Sequence, residues 1–232
     1  MQNFYEARES LRRHVLNSGV THHMFYGPTT DRYWVEPFKI VALNMEPYGY
    51  ENMGIVDVTR DDLIEWICDA GKTGTRTTRY TLAIVSVALA CYEKNIPATR
   101  EMLSFAFSDY ELIKNTLDRT AYYNIRAQSN SAKPQNYAAI SEVGQSDTGQ
   151  YIWDEIMALK PNVIFVGGHA GLAAVNQLLS PLNRMQFRNS AKVGECLIHS
   201  ISHPSRPAYD AWCLAINQSV NWMHEKMSRE ND

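Results

Sequence analysis

The segment Lys39-Ile-Val-Ala-Leu-Asn-Met-Glu-Pro-Tyr-Gly49 changes character at its middle. The first half is a short, nearly continuous apolar run. It lacks the apolar–polar alternation of a half-exposed strand, so it suits a strand covered on both faces, as in a parallel sheet between helices. From Asn44 onward the segment is polar and carries a proline and a glycine, the composition of a loop leaving a strand. Three further runs share the character of the first half: Ala121-Tyr-Tyr-Asn124, Asn162-Val-Ile-Phe-Val166 and Cys196-Leu-Ile-His-Ser-Ile201.

Helical patterns separate these runs. Phe4 to Leu16 is amphipathic, and Arg60 to Ala70 follows a Thr59 cap and stops at Gly71. Arg79 to Lys94 is apolar enough for a core helix, and Thr99 caps a helix reaching about Leu117. Asp147 or Thr148 caps another through Leu159, ended by Pro161. His169 to Leu179 follows the third strand, and a last helix runs from about Ala208 to Met227. Strands that alternate with helices need crossover connections. The pattern predicts an α/β three-layer sandwich with a central, mainly parallel four-stranded sheet, in one domain over residues 1–232.

Sheets of this kind bind ligands beyond the carboxyl ends of their strands. The segments there are Asn44 to Gly49, Asn124-Ile-Arg126, Gly167-Gly-His169 and His203-Pro-Ser-Arg206, all polar or glycine-rich. The stretches Ser129 to Ser146 and Ser180 to Glu195 read as long polar loops, which in compact domains are often functional.

Composition narrows the classes. With 45% apolar and 20% charged residues, the chain is globular rather than disordered. A net charge of -3 argues against a strongly basic nucleic-acid binder, although basic residues can still gather locally. Lys72, Arg76, Arg79, Arg126, Lys133, Arg184, Arg188, Lys192 and Arg206 fall mostly in loops, as either a DNA-facing patch or a solvated surface. The opening residues carry charges of both signs and no apolar run, unlike a secretory signal. The longest apolar stretch, Leu82 to Tyr92, is too short to span a bilayer. Cys68, Cys91, Cys196 and Cys213 form no C-x-x-C pair, so they read as reduced thiols of a cytoplasmic protein without a zinc site.

Two loops carry a resemblance. Ala42 to Gly54, ALNMEPYGYENMG, resembles the first active-site loop of the single-strand-selective monofunctional branch of the uracil-DNA glycosylase superfamily. That branch has the pattern G-M-N-P-G-P-F-G-M, met here by Asn44, Pro47 and Gly49, with Tyr48 for the Phe. His203-Pro-Ser matches the superfamily's H-P-S loop. The resemblance covers roughly Glu36 to Trp212. It implies a hydrolase that cleaves the N-glycosidic bond of uracil or a modified pyrimidine in single- or double-stranded DNA, with the base flipped out.

The resemblance also implies roles. Asn44 falls on the residue that orients the attacking water. In a second register Met45-Glu-Pro-Tyr resembles G-Q-D-P-Y, and Glu46 takes the place of a catalytic Asp. His203 falls on the donor to the departing base, and Asn124 on the reader of the pyrimidine edge. Tyr48 and Gly49 would pack around the base, with Ser205 and Arg206 on the DNA side. Asp57 stands near the place of a base-stacking Phe, a departure from the family pattern, as is Glu46 for Gly. The chemistry suits these types: bond cleavage builds positive charge on the sugar and negative charge on the base. An Asn amide offers one donor and one acceptor in a plane, matching the uracil edge. No metal or organic cofactor is required. Some superfamily members hold an iron–sulfur cluster on four cysteines; those here lack the close pair. A non-catalytic binding module on the same fold, or an enzyme acting on free nucleosides, are the rival functions.

Other features read as structural. Gly71-Lys-Thr-Gly-Thr-Arg76 lacks the first glycine of a phosphate loop and reads as a helix C-cap and basic loop. His22-His23 reads as surface, His169 as a helix cap, and Met102 to Tyr110 as core.

Overall fold

A computed structural model describes residues 1–44, 54–68, 73–125, 145–201 and 208–230, with side chains at 73–77 and 230 excluded. Helix α1 (Gln2–Asn17) leads into two short strands, β1 (His23–Phe25) and β2 (Gly27–Pro28), and a single turn, α2 (Arg32–Val35). Then come β3 (Ile40–Asn44), β4 (Ile55–Asp57), α3 (Arg60–Cys68), α4 (Thr73–Lys94), α5 (Arg100–Ser108) and α6 (Tyr110–Leu117). β5 (Thr120–Asn124), α7 (Asp147–Ala158), β6 (Val163–Gly167), α8 (Gly168–Leu178), β7 (Ser190–Val193), β8 (Cys196–Ile201) and α9 (Tyr209–Glu230) follow.

The fold is α/β with a mixed sheet. Six strands lie in the order β2-β5-β3-β6-β8-β7. The inner β5, β3, β6 and β8 run parallel, while β2 and β7 pair antiparallel at the edges. The sheet is thus six-stranded, where the sequence pattern predicts four. Both additions escape a search for apolar runs. β2 is only Gly27–Pro28, and a proline is tolerated because an edge strand need not donate on both sides. β7 alternates exposed and half-buried residues inside the polar stretch read as a loop. A separate pair, β1 and β4, forms a small parallel sheet that the sequence does not announce.

Adjacent residues of β5 show how the helices are distributed. Tyr122 and Tyr123 point to opposite faces of the sheet. The Tyr122 hydroxyl lies 3.0 Å from Thr78 Oγ1 of α4, whereas the Tyr123 hydroxyl donates to Glu155 Oε1 of α7 at 2.7 Å. Helices α4 and α7 therefore cover opposite faces. Helices α5, α6 and α9 pack with α4, and α1 and α8 pack with α7. Every residue of β3, β5 and β6 is buried, which is why these strands read as continuous apolar runs.

On the α7 face, α1 is tied down through Arg8. Its guanidinium donates to Glu155 Oε1 at 2.9 Å and to the Tyr26 carbonyl. Burial raises the Glu155 carboxyl above its ordinary range, against the opposing pull of Arg8 and Tyr123. Gly27 makes this approach possible: a Cβ there would stand 2.8 Å from Arg8 Nη2 and 3.5 Å from the Tyr123 hydroxyl.

Several local expectations need correction. Helix α4 begins at Thr73, so Thr73 to Arg76 are helical rather than loop; Gly71 and Lys72 lie outside the described residues. The helix expected from Thr99 to Leu117 is broken at Asp109, which ends α5 and caps α6 by accepting from Leu112 N at 3.0 Å. Thr99 does cap α5, accepting from Met102 N at 3.2 Å. Ser146, rather than Asp147 or Thr148, caps α7 through Gly149 N. His169 lies inside α8, which has no side-chain cap. His23 is buried in β1, not on the surface. Of Met102 to Tyr110, Leu103 and Ala106 are buried, but Phe105 is 65% exposed because it lies on the outer side of α5. Among the described residues no helix is long and apolar enough to cross a membrane.

Candidate functional site

β3 and β5 are adjacent, parallel and in register, so their last residues, Asn44 and Asn124, stand side by side. Both are buried. Asn124 follows Tyr122 by two residues, and the β period of two puts both side chains on the α4 face, together with Asn44. Helix α4 meets them with threonines spaced i, i+3, on one side of the helix. Thr81 Oγ1 donates to Asn44 Oδ1 at 2.9 Å, and Thr78 Oγ1 bonds the Tyr122 hydroxyl. Burial raises the Tyr122 phenol; Thr78, Asn44 and Asn124 pull it back, which sets both amides near the hydroxyl. The sequence thus brings five polar side chains together at the carboxyl rim of an otherwise apolar sheet.

One donor in this cluster is unmet among the described residues. Asn44 Nδ2 is buried near the Tyr122 hydroxyl and meets no acceptor with hydrogen-bond geometry among the described residues. Leaving such a donor unpaired costs about 1–3 kcal/mol, and native interiors rarely tolerate it without a use. Because Oδ1 is engaged by Thr81, Asn44 presents N–H to its surroundings. That donor suits a carbonyl oxygen or a lone pair of water.

The remaining sequence-derived positions divide in two. Glu46, Tyr48, Gly49, His203, Ser205 and Arg206 lie outside the described residues. The chain enters 45–53 from the carboxyl end of β3 and 202–207 from that of β8, strands that share one direction. Asp57 is not brought to the asparagine pair. It lies in β4, in register with Phe25, and accepts from Arg12 Nη2 at 2.8 and 2.9 Å and from Arg8 Nη1 at 3.3 Å. Arg8 and Arg12, one turn apart on α1, hold its carboxylate, so it offers no stacking surface beside Asn44.

Tyr122, Thr78 and Thr81 were not foreseen as site residues. A tyrosine in a strand and threonines in an apolar helix read as ordinary core. The i, i+3 spacing of these threonines is the sequence signal that could find them, because it sets one polar line on a single side of α4. On the same sheet face, His199 packs beside Phe165, with burial lowering its imidazole to about 4. It is a neutral core residue, distinct from His203.

No protein-family model matches the chain, and no curated protein is significantly similar to it. The functional reading therefore rests on the site itself. Among the described residues, no three His, Cys, Asp or Glu side chains converge as a metal-binding group.

Proposed function

We propose that this protein is a uracil-DNA glycosylase-like hydrolase that releases uracil or a modified pyrimidine from DNA. The observation that supports it is the register-matched pair Asn44 and Asn124, buried on one face with an amide donor that is unpaired among the described residues. Four parallel inner strands with helices on both faces agree with the frame that the family resemblance implies.

In this reading the target base leaves its stack and enters the rim between β3 and β5. Asn124 reads the pyrimidine edge with its paired donor and acceptor. Asn44, steadied by Thr81, orients the attacking water or donates from Nδ2 to a base carbonyl. Glu46 favours the sugar cation, and His203 donates to the oxygen of the departing base, where negative charge gathers. The target nucleic acid is held by the surrounding loops.

The test is base release from labelled single- and double-stranded oligonucleotides carrying uracil and modified pyrimidines. Release that collapses in Asn44→Ala, Asn124→Ala and His203→Ala, with unfolding midpoints unchanged, supports the reading. Absence of release from all substrates by the parent protein refutes it. A non-catalytic base-binding module is the second reading. It is favoured by the engagement of Asn44 Oδ1 with Thr81, which leaves the amide better fitted to hold a carbonyl than to orient water. Binding of the same oligonucleotides without release would select it.

A further inference from the structure

Helix α4 runs antiparallel to the inner strands. Thr81 bonds Asn44 at the carboxyl end of β3, whereas Tyr92 packs on Phe38, just ahead of β3, with ring centroids 5.0 Å apart. The first turns of α4 therefore rise to the rim that carries the asparagine pair. Arg79 stands there, about 3 Å of helix rise beyond Thr81. It directly follows Thr78, whose hydroxyl meets that of Tyr122.

The guanidinium of Arg79 is held by rings and not by an acid. It lies 4.1 Å from the centroid of Tyr110 and 4.9 Å from that of Phe107, residues on either side of the α5–α6 break at Asp109. Phe107 is itself fixed. Its ring stacks on Tyr80 at 3.8 Å with planes at 11°, and Tyr80 packs on Trp212 at 5.5 Å. Such rings attract a cation through their faces and offer its N–H donors no oxygen. The Arg79 side chain is half-buried and its Nε is buried, yet among the described residues nothing accepts a hydrogen bond from it or pairs with its charge. The acids beside these rings are engaged elsewhere: Asp109 accepts from Leu112 N at 3.0 Å, and Glu111 pairs with Lys114 at 2.8 Å. Arg8, Arg12, Arg60, Arg100 and Arg119, in contrast, each meet a carboxylate.

Resting on the base-excision reading, we propose that Arg79 binds a backbone phosphate of the DNA strand whose target base enters between Asn44 and Asn124. A guanidinium carries its donors in one plane, as a fork that matches two phosphate oxygens. Rings against the cation hold it in place and leave the fork unspent, so it meets the phosphate already positioned. A base seated between the two asparagines would carry its backbone past the first turns of α4, where Arg79 stands.

The experiment measures affinity of the full chain for a short fluorescein-labelled single-stranded DNA carrying one uracil across a range of salt, together with the base-release rate at saturating DNA and the unfolding midpoint. The variants are Arg79→Gln, Arg79→Met and Arg79→Lys. Gln and Met both remove the charge, and Met keeps an apolar stem against the rings, so whichever of the two folds reports on the cation. The charge-free variants should bind about tenfold more weakly and reduce the slope of log affinity against log salt by about 0.7. Arg79→Lys keeps the charge and loses the fork, so it should bind more weakly than the parent with the parent's salt slope. The release rate at saturation should change little, because the phosphate is not the bond that breaks. A charge-free variant that folds and keeps the parent's salt slope, with or without a lowered midpoint, overturns the phosphate role, and base release by the parent then leaves the base-excision reading intact. A parent protein that neither binds nor releases base overturns both.

Discussion

Replacing His23 by leucine should flatten the acid side of the stability profile. His23 is 1% exposed, its ring lies 4.7 Å from that of Phe25, and neither ring nitrogen has a hydrogen-bond partner among the described residues. Burial, helped by the charges of Arg8 and His14, lowers its imidazole from 6.5 to about 4. The folded protein therefore refuses a proton that the unfolded chain accepts. Stability is lost as pH falls from about 6.5 to about 4, and His23 contributes no pH dependence outside that window. At about 1.4 kcal/mol per unit the complete loss is about 3 kcal/mol, of which about 2 kcal/mol has gone by pH 5. Leucine removes two buried polar atoms that are unmet among the described residues, so the variant should match or exceed the parent at neutral pH. Urea unfolding at pH 7.5 and at pH 5 measures both differences. Background carboxylates act in both proteins, so the difference between the two slopes isolates the imidazole. A variant whose stability falls as steeply as the parent's, or that loses more than about 1 kcal/mol at neutral pH, refutes the reasoning.

Arg8→Met should cost about 3–5 kcal/mol, because Glu155 would remain as a buried carboxyl without its cation; thermal unfolding checks it. Gly27→Ala should cost about 1–3 kcal/mol as the new methyl drives Arg8 from its place, and pairing it with Arg8→Met should recover most of that loss. Thr81→Val removes the hydrogen bond that Thr81 donates to Asn44 Oδ1. It should cost about 1 kcal/mol of stability and lower base release roughly tenfold, with a smaller effect on DNA affinity. Steady-state kinetics beside an unfolding curve separates the two effects, and release equal to that of the parent would remove Thr81 from the positioning of Asn44.

How much was legible depends on where the information resides. The four parallel strands stand out because burial on both faces leaves a continuous apolar signature in five or six residues. The helices between them show the same directness, and Thr99 is readable as a cap because the capping bond spans only three residues. The break at Asp109 and the choice of Ser146 over Asp147 were harder. Several neighbouring residues have the right side chain, and only backbone dihedrals select one.

The edge strands and the site were decided at long range. Gly27–Pro28 becomes a strand because Tyr122 and Ala121 offer it an edge, and Asp57 becomes the partner of α1 because Arg8 and Arg12 reach it from far along the chain. Asn44 and Asn124 each occur locally as a polar residue closing an apolar run, and that much is written in the order of residues. Their contact depends on the register of β3 against β5, and the orphaned donor depends on Thr81 arriving from α4. Strand type is a local property of burial pattern, whereas pairing, register and hydrogen-bond satisfaction are properties of surfaces that exist only once the chain has closed on itself.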